Sequence, residues 1–173
     1  MDAIKAFLPT SEGILPYYML LLSGISIGNC IQGYMTLHYS RRVYNGRFIR
    51  NANLPPASAT FEPEDSVNKL VPVDTKINDP KASDQLTPLG NRLFSTWTLL
   101  ACVVRCYAAY HLHHGPVYDM AVWTYVIAFF HFSSELFYFK SMSFGVPQFF
   151  PFLLSSCALI WMPSVRDSYV TVN

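Results

Sequence analysis

A chain of 173 residues has the length of a single domain, but its composition excludes an ordinary soluble one. Hydrophobic residues make up 51% and charged residues only 13%, about half the charged share usual in soluble domains. The net charge of +1 offers no basic field for nucleic acid. The four cysteines (Cys30, Cys102, Cys106 and Cys157) lie in apolar stretches without zinc-site spacing and read as reduced thiols within a bilayer.

Residues 1–13 lack a cationic leader, and no small-residue cleavage pattern closes the apolar run that follows. That run, 14–37, is therefore expected as a retained first span, with Pro16 where a helix start tolerates proline. Gly24 and Gly28 form a small-xxx-small pattern suited to close helix packing, and Asn29 and Gln32 are polar within the span. Residues 39–50 carry Arg41, Arg42, Arg47 and Arg50 among tyrosines, as a headgroup boundary would. Residues 51–88 hold six of the twelve prolines, six acidic residues and one aromatic, Phe61, and are expected as a flexible connector.

Three further apolar runs follow, at 91–112, 117–139 and 146–162, the last weakened by Pro147 and Pro151. A histidine-bearing turn, His111 to His114, joins the second span to the third. It has too few companions for a metal site, so no metal or cofactor is expected. The fold class is thus all-α: a polytopic membrane protein, a bundle of four transmembrane helices with a long polar loop between helices 1 and 2. The excess of arginine beside that loop favours a cytosolic loop with both termini lumenal, a count that sets Lys5 and Arg166 on the far side. The final residues, Thr171 to Asn173, carry no retrieval or lipidation signal.

The costly residues are those that ionise inside the spans: Arg105 in the second, and His131 and Glu135, at i and i+4, in the third. Spans two and three are antiparallel neighbours, so residues at equal depth have numbers adding up to about 230, given the shared rise per residue. Glu135 then lies level with Ser95 and Thr96, and Arg105 with Tyr125. A depth difference of ~15 Å, more than the two side chains comfortably span, argues against a salt bridge between Arg105 and Glu135. The first span brings Asn29 and Gln32 to the level of His131 and Glu135. A buried polar layer of Asn29, Gln32, Ser95, Thr96, His131 and Glu135 is expected, with Arg105 turning to Tyr125, a carbonyl, a headgroup or a partner.

Three stretches carry a resemblance to a known family. They are Gly28-Asn29-Cys30-Ile31-Gln32; Trp97-Thr98-Leu99-Leu100 through Arg105-Cys106; and Trp123-Thr124 with His131-Phe132-Ser133-Ser134-Glu135-Leu136-Phe137. In order and spacing they resemble the ergosterol biosynthetic protein 28 family of small endoplasmic-reticulum membrane proteins. The resemblance implies a non-catalytic scaffold in sterol biosynthesis. Its implied partners are the sterol C-4 methyl oxidase, the decarboxylating 3β-hydroxysteroid dehydrogenase and the 3-keto sterol reductase. It implies no catalytic residues.

The residues themselves leave two functions open. A scaffold would use the polar layer as an internal clamp or a docking surface, and would raise the effective concentration of each intermediate near the next enzyme. An intramembrane sterol isomerase would use His131 and Glu135 as an acid–base pair.

Overall fold

A computed structural model describes residues 8–74 and 79–171. The readings made on residues 1–7 (Lys5 among them) and on Val172 and Asn173 lie outside the described residues. The chain is mostly helical. Helix α1 spans Leu15–Met35 and is followed by the short α2, His38–Val43. Three long helices complete the bundle: α3, Pro88–Tyr110; α4, Gly115–Ser133; and α5, Val146–Tyr169. One π-helical turn, Ser134–Tyr138, continues α4.

Among the described residues, three helical segments are long and apolar enough to cross a membrane: Pro88–Tyr110, Gly115–Tyr138 and Val146–Tyr169. The expected count was four. Helix α1 has the length, 21 residues or ~32 Å, but Asn29, Gln32 and its tyrosines dilute its apolar character. Large apolar side chains such as Leu21, Leu100, Trp123, Phe130 and Ile160 face outward from all four long helices, as lipid contact would require.

Local chemistry sets the element ends. Thr87 caps α3 by accepting from the Gly90 amide at 3.0 Å, and Pro88 occupies the first turn, where its missing N–H has no helical partner to lose. The second apolar run therefore starts earlier than residue 91. Helix α5 passes through both Pro151 and Pro163 and runs on beyond 162. Its far end is held by Arg166, whose guanidinium donates twice to Asp119 of α4, both bonds at 3.1 Å.

The stretch between α2 and α3, read as a connector, has local structure. Strands β1, Arg47–Arg50, and β2, Leu70–Val73, pair antiparallel, with Phe48 opposite Pro72. Proline cannot donate, and the register does not ask it to: Phe48 exchanges both of its backbone bonds with Ser83, at 2.9 and 3.0 Å. A 3-10 turn, Pro63–Asp65, carries Glu64, which pairs with Arg50 at 2.7 Å.

The apolar core comes in two pieces. The larger joins Leu15, Met19 and Leu22 of α1 to Ala108, Tyr118, Tyr125, Ala158 and Met162. The smaller gathers Val43, Ala128, Phe132 and Met142 near the arginine-rich end.

Candidate functional site

His131 lies in the last turn of α4, in a nest of aromatic rings. The rings of Phe94 and Trp97 from α3 have centroids 5.7 Å from it, and Tyr44 lies at 6.0 Å. A hydrogen bond of 2.7 Å links the Tyr44 hydroxyl to His131 Nε2. Burial pushes the Tyr44 phenol above its ordinary range, with nearby Glu135 a secondary cause, so this hydroxyl keeps its proton.

Glu135 belongs to the π-helical turn and accepts a 2.5 Å hydrogen bond from Ser141 Oγ. Ser141 is held in place by the backbone, since its carbonyl accepts from the Gly46 amide at 2.8 Å. Gly46 is required there. A Cβ at this position would lie 2.5 Å from the Lys140 carbonyl oxygen and 2.8 Å from Ser141 Cα, both fixed backbone. Lys140 itself adopts a left-handed φ of 56°, which turns the chain back beneath the end of α4. A cavity of about 280 Å³ adjoins the group, between His131 and Glu135 on one side and Phe48 with Leu86 and Thr87 on the other.

His131 and Glu135 are therefore not bonded to each other. Each is engaged by a residue from a connecting segment, Tyr44 or Ser141, and together they fasten both segments to the end of the bundle. Neither Tyr44 nor Ser141 was legible in the sequence, because both lie outside the periodic spans.

The expected polar layer separates into levels. Ser95 donates to the Asn91 carbonyl at 2.8 Å and lies against Gly33, so it does not meet Glu135. Thr96 is exposed and shares a 2.6 Å hydrogen bond with Tyr34. Asn29 is half-buried and lines a second, central cavity, whereas Gln32 is half-buried and bonds through its carbonyl to the Thr36 amide. Arg105, 8% exposed, donates from Nε to Thr124 Oγ1 at 2.8 Å, and its guanidinium lies 4.1 Å over the Tyr125 ring.

The glycines differ from the expectation too. A Cβ on Gly24 or Gly28 would meet nothing within 4 Å, so neither mediates close packing inside the chain. The close approach of α1 to α3 falls at Gly33, where an added Cβ would strike the Ser95 hydroxyl. Beside this contact, a buried side chain just outside the expected layer bonds across the two helices.

That side chain is Asn91, 1% exposed. Its Nδ2 donates to the Gly33 carbonyl at 2.6 Å and the Thr36 carbonyl at 3.2 Å, and its Oδ1 accepts from Ser40 at 2.5 Å. It thus closes the open C-terminal carbonyls of α1 and ties down α2. Gln148 acts similarly on α2, donating to the carbonyls of Arg42 and Val43 at 2.6 and 2.7 Å. Among the described residues, no three of His, Cys, Asp and Glu gather as a metal site.

A mostly helical chain with apolar side chains turned outward and, among the described residues, three helices long and apolar enough to cross a bilayer has the character of a helical membrane protein. The chain belongs to the family described as Erg28 like protein, which matches residues 15–160. It is 66% identical to the ergosterol biosynthetic protein 28 of Gibberella zeae over 173 residues, the whole of both chains. It is 32% identical over 167 residues, 96% of each chain, to the Candida albicans protein of that name. With the Saccharomyces cerevisiae protein the identity is 29% over 162 residues, 93% of this chain and 86% of the relative. No solved structure matches the chain.

Proposed function

We propose that this protein is a non-catalytic scaffold of sterol biosynthesis in the endoplasmic-reticulum membrane, with α1 as a fourth span. It tethers the C-4 methyl oxidase, the decarboxylating 3β-hydroxysteroid dehydrogenase and the 3-keto sterol reductase. The pathway follows from the names of its relatives, and the mode of tethering from one feature of α1.

Gly24 and Gly28 stand one turn apart with open space before them, although the chain's own close helix contact uses Gly33. Around them, Leu21, Ile25 and Ile31 are exposed. A notch of two glycines lets a foreign helix approach the α1 backbone, and in lipid such packing replaces the hydrophobic drive that holds helices together in water. The isomerase alternative draws no support from the site, because Tyr44 and Ser141 already engage His131 and Glu135.

The test is co-purification. A Gly24→Leu/Gly28→Leu double variant is expected to keep its thermal stability in detergent while recovering ~10-fold less of the demethylation enzymes, the ~1–2 kcal/mol scale of a lost membrane helix contact. Recovery of all three at wild-type yield would exclude this face as the docking surface.

A further inference from the structure

The long helices associate as two pairs, α1 with α3 and α4 with α5, which α3 and α4 join. Between the pairs, and between the two apolar cores, lies a cavity of about 180 Å³. Toward the Leu15 end, α1 and α5 are tied beside the lining residue Leu154, whose carbonyl accepts from Tyr18 at 2.9 Å, and Tyr18 packs edge-on against Trp161. Farther along the same two helices, the wall is formed by Ile25 and Phe150, which are 50% and 57% exposed. The cavity therefore opens sideways between α1 and α5, at the depth of lipid.

One wall carries chemistry the rest of the fold does not use. Arg105 is more than nine-tenths buried and lines the cavity. Among the described residues no carboxylate pairs with it, and its partners there are the Thr124 hydroxyl, the Thr124 carbonyl and the Tyr125 ring. A guanidinium has five N–H donors, so donors remain for a further acceptor. Beside it Tyr125, 1% exposed, has a hydroxyl with no partner among the described groups. A buried charge and a buried hydroxyl left short of partners are costly in a bilayer, and an acceptor brought in from the membrane would relieve both.

The remaining walls include the flat rings of Phe94, Trp97 and Phe132. A dry cavity of ~150 Å³ accepts benzene, so this one takes a substituted ring but not a whole sterol. The rest of such a molecule would lie in the gap between α1 and α5. A donor-only anchor selects an oxygen acceptor, and flat walls select a rigid ring over a mobile chain.

We infer that the central cavity binds the oxygen-bearing end ring of a sterol, with Arg105 as its polar anchor and the ring body leaving between α1 and α5. The choice of sterol rests on the proposed place in sterol biosynthesis. The cavity, its opening and its buried arginine do not.

The experiment uses the full-length protein in phosphatidylcholine nanodiscs with a tritiated 3-keto sterol, and tritiated oleate in parallel. Saturable sterol binding is expected, and a large excess of unlabelled oleate leaves it in place. Arg105→Gln and Ser26→Trp, the latter at the mouth on α1, are each expected to weaken it ~10-fold or more, the scale of one lost charged hydrogen bond or a blocked entry. Should Arg105→Gln fail to fold, Ser26→Trp carries the test. Absence of saturable binding, or binding unchanged in Ser26→Trp, overturns the site, and displacement by oleate overturns the sterol class. Binding is read on the isolated protein and co-purification on the same variants, so failure here is distinct from failure of the scaffold.

Discussion

The Asn91 amide serves three elements at once, and each of its bonds answers a need created elsewhere. The carbonyls of Gly33 and Thr36 stand at the end of α1, where no helical N–H remains to meet them, and Ser40 brings α2 onto the same amide. Asn91→Asp keeps the volume but replaces both donors with acceptors facing carbonyls. It is expected to lower stability by about 2–4 kcal/mol, read as a fall in the unfolding midpoint in detergent. Asn91→Ser, able to donate only once, should lose less. Depth matching along two antiparallel helices was enough to set Arg105 level with Tyr125, because it needs only the helical rise. Asn91 was not legible in this way, since its partners are backbone groups where another helix stops, and nothing in the hydropathy of α3 marks them.

Helix α1 has faces that do different things, and its three glycines separate them. Gly33 lies where α3 presses closest, so Gly33→Leu drives a side chain into Ser95 and should cost about 1–3 kcal/mol, as overpacking does. Gly24→Ala and Gly28→Ala point into open space and are expected within ~0.5 kcal/mol of wild type in the same unfolding assay. The sequence pattern marked Gly24 and Gly28, the pair with the regular spacing, and passed over Gly33. Spacing shows which residues share a face but not which face meets the chain's own neighbour. The same limit hid the β1–β2 pair. Its strands have four residues each, one contains Pro72, and Phe48 of β1 makes both of its backbone bonds with Ser83, outside either strand.

At the scale of the whole molecule, length and apolar composition were enough to locate the long helices, because a bilayer leaves the backbone few alternatives. The sequence could not divide the polar residues among the ends of the bundle. That division depends on connecting segments folding back, through Tyr44 and Ser141, onto the end of α4. If α1 crosses the membrane, both termini lie on one side and the arginine-rich segment on the other. In sealed microsomes, Ser58→Cys should then react with a membrane-impermeant maleimide directly, and Thr10→Cys, ahead of α1, only after permeabilisation. Direct labelling of both positions would leave three spans.

The scaffold reading meets its most direct test at Gly28, in open space on the outer face of α1. A photoreactive amino acid placed there, irradiated in native membranes, is expected to yield covalent adducts with at least one C-4 demethylation enzyme. The same probe at buried Met19 should yield none. Adducts with lipid alone at position 28, in membranes where those enzymes are present, would contradict the account.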